Sequence, residues 1–186
     1  MKKKVSKKKD KKEEQISYAG VYKDYIWAKS RKTYYRREHE SIGCVFCAIA
    51  NNDPRIERKV VYEDEKLMVM LNVFPYTLGH IMVVPKRHYI SILDLTDDDL
   101  LYLFKMVQRS IKLLKAAYNP EGFDIGINLG KVGGASIEHL HIHVVPRYTV
   151  EAGFMEATGT RVIPSSLDDV LNHLRRYVGV LLGEEP

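Results

Sequence analysis

The most reactive side chains of this sequence are three histidines at alternate positions. His139, His141 and His143 stand in the segment SIEHLHIHVVPRY. Because alternate side chains of a β-strand share a face, this spacing predicts three imidazoles in a row on one face of a strand. Burying such a row is costly unless the rings bond to one another, bind a metal or meet an anion. The row therefore indicates a metal site or a site for phosphoryl chemistry, and a purely structural role is the weaker alternative.

The residues that precede the row favour phosphate over metal. A metal site on one strand usually needs a further ligand that faces the imidazoles, and periodicity alone cannot supply it. Phosphoryl transfer needs a neutral imidazole as nucleophile and donors for the phosphate oxygens. Gly130, Gly133 and Gly134 would let the backbone approach a phosphate closely, and Ser136 adds a hydroxyl donor. We therefore expect a phosphate-binding loop next to the histidines.

The two cysteines of the chain form a second candidate site. Cys44 and Cys47 have the spacing C-x-x-C. In an intracellular protein a structural disulfide between them is disfavoured. Three interpretations stay open from the pair alone: half of a zinc site, a redox pair, or two buried thiols that pack as small apolar side chains.

Five β-strands are predicted around these residues. Alternating or short apolar runs bounded by polar turns indicate them, and the first two form a hairpin. The predicted strands span residues 60–62, 67–71, 80–84, 123–129 and 139–145. Strands, then a helix, then strands and a helix predict an α+β fold with a mainly antiparallel sheet.

Capping residues predict where the helices begin. Thr96 is followed by three aspartates that suit a positive helix end, apolar residues then recur at helical spacing, and Asn119 with Pro120 ends the pattern. Ser165 or Ser166 can cap a last helix that reaches about residue 182. The segment GCVFCAI is expected to form a compact turn.

The basic charge of the chain is confined to its N-terminal end. Residues 1–14 hold eight lysines against three acidic residues, which accounts for the whole net charge of +5. Such a run has little to bury and repels itself. We expect a disordered tail over residues 1–17, an arm over 18–43 and a domain over 44–186. The tail alone gives little reason to expect a nucleic-acid partner.

From the hydropathy of the chain we expect no membrane-spanning segment. Apolar residues make up 45% of the chain, but none of their runs approaches the roughly 20 residues that a transmembrane helix needs. The first residues also lack the apolar stretch of a secretory signal. We therefore expect a cytoplasmic protein without a membrane partner.

The segment HLHIHVV resembles the signature of the histidine-triad (HIT) family. Two further segments are similar to the family's nucleoside-binding strands and phosphate loop, LNVFPYTLGHIMVVPKRH and GINLGKVGGAS, so the likeness covers residues 43–148. It implies a HIT-like α+β fold with one long packed helix and a C-terminal helix. It also implies a nucleotide substrate and a homodimer, since the sheet of the family commonly continues across two subunits.

The resemblance also implies a role for each matched residue. His141 would be the nucleophile on the α-phosphorus, and His143 and His139 would hold and polarise it. Asn72 would bind the ribose, and His80 is at the position of a supporting histidine. The implied phosphate-binding residues are Asn128, Gly134, Ser136 and His143.

A structural zinc ion follows from the resemblance as well. Some bacterial members of the family bind zinc through a cysteine pair, a histidine in a Pro-Lys-x-His segment and the first triad histidine. The corresponding residues here are Cys44, Cys47, His88 and His139. Two sulfurs and two imidazoles make a closed tetrahedral set. No organic cofactor is expected.

One departure from the family pattern bears on the acceptor. Ala135 stands where many HIT hydrolases carry a glutamine that orients water, which favours transfer to another acceptor. GFMEATGTRVIPSSL resembles the branch of diadenosine tetraphosphate phosphorylases, whose acceptor is phosphate. The expected function is therefore nucleotidyl transfer on dinucleoside polyphosphates. The alternatives are a hydrolase of nucleoside phosphoramidates or other adenylated small molecules, and a non-catalytic nucleotide sensor.

Overall fold

The computed structural model describes residues 42–149 and 165–184. They form a five-stranded sheet, four α-helices and one short 3₁₀ helix at Ile92–Asp94. The strands are β1 (Val60–Glu63), β2 (Leu67–Leu71), β3 (Ile81–Pro85), β4 (Gly122–Ile127) and β5 (Ile142–Arg147). The α-helices are α1 (Val45–Ala50), α2 (Asp97–Tyr118), α3 (Leu167–Arg175) and α4 (Gly179–Leu182). The predicted 1–17 tail and all but the last two residues of the 18–43 arm lie outside the described residues.

The sheet is antiparallel throughout and has the order β1-β2-β3-β5-β4. The chain leaves the sheet after β3, runs through α2, forms β4 at the edge and returns to β5 beside β3. Every residue of β2 and β3 is buried, as expected for central strands covered on both faces. The predicted α+β fold with an antiparallel sheet is confirmed.

Alternation along the strands divides the interior into two layers. Leu67, Val69 and Leu71 point into a large core with α2 and the C-terminal helices. Met68 and Met70 point to the other face, into a smaller core covered by α1. Because successive side chains of a strand point to opposite faces, the one strand β2 contributes residues to both cores.

Helix α2 follows its predicted signals closely. The Thr96 hydroxyl accepts a hydrogen bond from the Asp99 amide and caps the helix, which leaves fewer unpaired amides in the first turn. Asn119 ends it in the left-handed conformation, at φ 48°, which asparagine tolerates better than most residues. The buried face of the helix includes Leu103 and Leu114.

The expected compact turn at GCVFCAI is wrong, because the segment forms helix α1. Phe46 and Ile49 are three positions apart and both are buried in the smaller core, so packing stabilises a helix of only six residues. The helix ends before Asn52, which has a φ of 58°.

The last helix also differs from the sequence prediction. Ser166 caps it as expected, but the helix ends at Arg175 instead of continuing to 182. The amides of Arg176 and Tyr177 bond to carbonyls three residues back, which tightens the backbone at this point. A separate helix, α4, follows.

Strand β5 begins three residues later than predicted, at Ile142. It pairs with β3 only as far as Val83, because Pro85 has no amide hydrogen to extend the ladder. The Leu140 amide donates instead to the carbonyl of Tyr89, at 2.6 Å. In the part of the chain that the structure describes, no helix has the length and apolar composition to cross a bilayer.

Candidate functional site

The histidine row lies where the chain enters β5. Leu140, Ile142 and Val144 pack into the large core. The rings of His139 and His141 lie on the other side, where both make edge contacts with Phe46 at centroid distances of 5.5 and 5.2 Å. All three histidines are buried. Packing of the intervening residues therefore directs the imidazoles toward the layer under α1.

Hydrogen bonding defines which nitrogen of His141 carries the proton. Its Nδ1 lies 2.7 Å from the main-chain carbonyl oxygen of His139. A carbonyl can only accept, so Nδ1–H donates and Nε2 is the basic nitrogen of the neutral ring. This is the tautomer that a nucleophilic imidazole requires, with its lone pair on the nitrogen remote from the backbone.

A second chain of bonds defines the proton position on His143. The amide of Tyr76 donates to His80 Nδ1 at 3.1 Å, so His80 carries its proton on Nε2. That nitrogen is 3.0 Å from His143 Nδ1 and donates to it. His143 therefore carries its own proton on Nε2, as a hydrogen-bond donor. Adjacent rings of the row thus have opposite roles: His141 Nε2 accepts a proton and His143 Nε2 gives one.

His141 and His143 line a pocket between α1 and the sheet. Most of its lining is apolar, and its neutral polar groups gather near the histidines. The apolar lining residues include Val45, Phe46, Ile49, Ile56, Met70, Phe74 and Met82. The polar lining residues are Glu57, Asn72, Asn128, Ser136 and the two histidines. A concave site with an apolar wall and a few polar groups at one end suits a small organic molecule with a polar head.

The glycine loop beside the pocket depends on the absence of side chains. Gly134, which lines the pocket, has a φ of +91° and faces the Asn128 amide group. A Cβ on Gly133 would lie 2.2 Å from the carbonyl oxygen of Leu129, so no other residue fits the turn. The loop therefore keeps its backbone close to the polar end of the pocket, as expected for a phosphate-binding loop.

The ring of His139 belongs to a different group of side chains. Its Nε2 donates to the carbonyl of Pro85 at 2.8 Å, so the basic Nδ1 faces the cysteines, 3.3 Å from Cys44 Sγ and 3.6 Å from Cys47 Sγ. Cys47 Sγ is also 3.2 Å from Nδ1 of His88. One ligand atom from each of these four residues lies within 4.8 Å of all the others.

This cluster fits a zinc ion. Tetrahedral Zn–S and Zn–N bonds of about 2.3 and 2.0 Å place neighbouring S and N atoms about 3.5 Å apart, close to the three distances above. The bond from His139 to Pro85 is the outer-shell contact that commonly orients a zinc-bound imidazole. Burial lowers the pKa of His139 to about 4, which keeps its ring neutral and able to ligate.

The Cys47 thiol needs a cation to become a good ligand. Burial, followed by the contact with Cys44, raises the pKa of Cys47 to about 11. In the apo state the thiol is therefore protonated at neutral pH. A bound divalent cation would favour the thiolate and displace its proton.

The structure brings most of the predicted substrate-binding residues together at this pocket. Asn72, Asn128, Gly134 and Ser136 line it with His141 and His143. His80 is fully buried behind His143 and supports it. His139 contacts His141 through its main-chain carbonyl oxygen, while its imidazole faces the cysteines.

Several lining residues escaped the sequence analysis. Phe46 and Ile49 could have been found from their helical spacing, had GCVFCAI been recognised as a helix. Glu57 carried no signal, since a lone acid in a polar segment usually lies on the surface.

Comparison with known proteins establishes the family. The HIT domain matches residues 53–150, more than half of the chain, and the chain belongs to the HIT family. It is 35% identical to an uncharacterised HIT-like protein of Methanocaldococcus jannaschii over 132 residues, which covers 71% of this chain and 98% of that protein. It is 42% identical to an AP-4-A phosphorylase of Mycobacterium tuberculosis over 115 residues, which covers 61% of this chain and 59% of that enzyme. The family resemblance drawn from the sequence is confirmed.

A solved structure agrees with the fold and the cysteine cluster. The chain resembles a zinc-bound histidine triad family protein from Mycobacterium smegmatis with a TM-score of 0.64 and 30% identity, over 76% of this chain and 97% of that one. The HIT fold is therefore shown, and a zinc-binding relative exists among proteins of this shape.

Proposed function

We propose that the protein is a nucleotidyl transferase that acts on dinucleoside polyphosphates through a covalent nucleotidyl-His141. The observation that carries this proposal is the pair of opposite ring tautomers beside the glycine loop. His141 Nδ1 is bound to the His139 carbonyl at 2.7 Å, and His143 Nδ1 is bound to His80 at 3.0 Å. A nucleophile and an acid are thereby fixed before substrate binds, which reduces the reorganisation needed during the reaction.

The reaction runs in two balanced steps. His141 Nε2 attacks the α-phosphorus, a P–N bond forms, and the P–O bond to the bridging oxygen breaks. His143 Nε2–H gives its proton to the departing oxygen. An acceptor oxygen, which returns a proton to His143 Nε2, then attacks the same phosphorus, the P–N bond breaks, and His141 returns to the neutral state. Amides of the glycine loop, Asn128 and Ser136 stabilise the charge on the phosphoryl oxygens.

Inorganic phosphate is the acceptor in this proposal. Ala135 is buried beside the loop and has no side-chain group that could orient water. One relative, 42% identical over 115 residues, is an AP-4-A phosphorylase. With diadenosine tetraphosphate, the first step would release ATP, and phosphate would convert the bound adenylate to ADP.

Product analysis tests the proposal directly. The purified protein is incubated with diadenosine tetraphosphate, with and without phosphate, and the nucleotides are separated by chromatography. ATP and ADP that form only with phosphate support the phosphorylase. ATP and AMP formed regardless of phosphate would make the protein a hydrolase. Absence of turnover, both here and with nucleoside phosphoramidates, would leave the sensor function.

We also propose that the cluster of Cys44, Cys47, His88 and His139 holds a structural zinc ion. The four ligands would close its coordination sphere, so the ion would cross-link α1 to the segments after β3 and before β5 and leave no position for substrate. Metal analysis of protein purified without added metal tests this. About one zinc per chain is expected, and a Cys47→Ser variant should lose it.

A homodimer is the third part of the proposal. Strand β4 is one of the two edge strands of the sheet in the described part of the chain, and Ile125 on it is 46% exposed. An apolar edge strand of this kind favours pairing with another strand. Light scattering should give twice the chain mass, and Ile125→Lys should shift it toward one chain mass.

A further inference from the structure

Helix α1 lies between the cysteine cluster and the pocket that the histidines line, and it contributes residues to both. Cys44 at its N-cap and Cys47 three residues later supply the two sulfurs of the cluster. Phe46 and Ile49 of the same helix line the pocket and belong to the smaller core. A movement of this one helix would therefore change the metal ligands and the pocket wall together.

Local interactions do little to stabilise α1. A helix of six residues is too short to be stable alone in water. The Cys44 side chain makes no cap hydrogen bond, and the described helix has no acidic residue in its first turn and no basic residue in its last. Its position therefore depends on tertiary contacts. On one side it shares the smaller core with Met70 and Met82 of the sheet, and on the other its cysteines contact His88 and His139.

The ring of Phe46 contacts both sites. It makes edge contacts with His139, a member of the cluster, and with His141, the proposed nucleophile, at centroid distances of 5.5 and 5.2 Å. The main-chain carbonyl of His139 also accepts the hydrogen bond of His141 Nδ1 at 2.7 Å. Phe46 is only 3% exposed, so its ring cannot shift without altering these contacts. The two sites thus share one packed side chain.

We propose that α1 couples the two sites, so that zinc in the cluster and a nucleotide in the pocket each strengthen the binding of the other. Zinc would fix the cysteines of α1 to the two histidines, and a base in the pocket would pack on the apolar side of the same helix. Both ligands thereby favour the docked position of α1. If α1 is docked in only a fraction of the molecules, the apparent nucleotide affinity is reduced by that fraction. The inference rests on the proposed function only in that the pocket binds nucleotides and the cluster binds zinc.

The coupling concerns affinity and not the chemistry of His141. In the loaded cluster two thiolates cancel the charge of the divalent ion. The ion therefore brings no net charge near the pocket, and its effect on a bound nucleotide is expected to pass through the packing of α1. At saturating nucleotide the helix is docked with or without zinc, so the turnover number is not expected to follow the metal.

Calorimetry with adenosine 5′-monophosphate, which binds without turnover, measures the coupling. The full chain is stripped of metal with a chelator, half of it is reloaded with zinc, and the Kd of each form is measured at a temperature where both are folded. We expect a Kd about tenfold lower for the zinc-loaded protein, a typical size for coupling between two sites. Linkage requires that saturating nucleotide lower the Kd for zinc by the same factor.

Hydrogen exchange identifies the element that transmits the coupling. The amides of Ala48 and Asn51 donate to the carbonyls of Cys44 and Cys47 at 3.0 Å, so their exchange reports whether α1 is formed. Removal of zinc should speed exchange in α1 more than in β2 and β3. Adenosine 5′-monophosphate added to the metal-free protein should slow it again.

Two variants serve as matched controls. His88→Ala removes a ligand that does not line the pocket. At a zinc concentration that leaves this variant unloaded, it should bind the nucleotide with the Kd of the metal-free wild type. His173→Ala changes a histidine of α3 that bonds to the Ala117 carbonyl, and it should keep the full effect of zinc. Thermal unfolding shows that each variant is folded when its Kd is measured.

The outcomes separate this inference from the two proposals on which it rests. Equal nucleotide Kd values for the metal-free and zinc-loaded wild type would overturn the coupling and leave both sites in place. A shift in Kd without a change of exchange in α1 would also overturn it, because another route would then connect the sites. If the nucleotide binds neither form, the proposed function fails with the inference; if zinc does not bind, the zinc site fails with it. Equal factors for the two ligands, with α1 protected by either one, support the inference.

Discussion

His139 and His141 stand two residues apart, are both buried and contact the same phenylalanine, yet they belong to different sites. His139 donates to the carbonyl of Pro85 and turns its basic nitrogen to the cysteines. His141 donates to the carbonyl of His139 and turns its basic nitrogen away from the backbone. We propose that one half of the histidine row binds a metal and that the other half reacts with a phosphorus atom.

The residue type alone therefore does not set the role of an imidazole. In both rings one nitrogen donates a hydrogen bond to a main-chain carbonyl, which leaves the other nitrogen basic and able to act as a ligand or a nucleophile. Which nitrogen is bound, and what faces the opposite one, decides the chemistry.

The largest expected effect is on the nucleophile. His141→Ala should lower the rate of nucleotidyl transfer by about a thousandfold or more, because the covalent route is lost. Adenosine 5′-monophosphate should still bind, since the apolar wall and the loop remain. Steady-state kinetics and calorimetry measure the two quantities. His173→Ala, which alters a histidine bonded to the Ala117 carbonyl, is the control and should keep the wild-type rate.

The next largest effect is expected at the cysteine cluster that contains His139. Cys47→Ser should release the metal and lower the free energy of unfolding by several kcal/mol, because binding of a structural zinc is coupled to folding. Metal content and chemical denaturation measure this. At a temperature where the variant is folded, its turnover number should stay far above that of His141→Ala. If both variants lose turnover equally while folded, the row is one site and the comparison fails.

A smaller effect is expected at His80, which positions His143. His80→Ala should lower kcat by about 10- to 100-fold with little change in KM, because the acid loses the donor that fixes its tautomer. His80→Gln offers an amide N–H to the same nitrogen and should recover part of kcat. A purely packing role predicts no difference between the alanine and glutamine variants once both are folded.

The smallest expected effect is at Tyr102, which lies outside the histidine row, and it concerns stability but not turnover. The Tyr102 hydroxyl donates to Asp64 at 2.8 Å, and this bond is the largest cause that raises the pKa of Tyr102 to about 12. Tyr102→Phe should cost at most about 1 kcal/mol of unfolding free energy and change neither metal content nor turnover.

The same contact has a defined pH dependence. Because the folded pKa lies above the ordinary value of about 10, the stabilisation is fully present below pH 10 and is lost as the pH rises toward 12. Denaturation curves of the wild type and Tyr102→Phe should therefore converge in this range. A gap that stays constant up to pH 12 would show that the Asp64 bond does not favour the protonated phenol.

Much of the fold could be predicted because its signals are local. The cap at Thr96, the left-handed residue at Asn119 and the apolar runs of β2 and β3 each act through nearby atoms. Helix α1 was missed because six residues have too little intrinsic preference, and the packing of Phe46 and Ile49 on the sheet stabilises it. The end of α3 at Arg175 could not be predicted either, because the sequence shows no helix-ending residue such as Gly or Pro at that position.

The site was less predictable where it depends on tertiary contacts. Spacing placed the three histidines on one face, but it could not indicate that the Pro85 carbonyl would turn the first ring toward the cysteines. The loop glycines were recognised, since backbone conformation demands them. Glu57 could not be predicted as a lining residue from the sequence. Its carboxylate bonds to Lys59, and Lys59 also bonds to Asp168, which is more than 100 residues further along the chain.

Trapping the covalent intermediate shows which histidine of the row reacts with phosphorus. The protein is mixed with diadenosine tetraphosphate in the absence of phosphate, quenched under conditions that preserve P–N bonds, and digested for mass spectrometry. If the two halves of the row act separately, we expect an adenylyl group on His141, none on His139 or His143, and no adduct in His141→Ala. Turnover without an adduct on His141, or an adduct on another histidine, would contradict it.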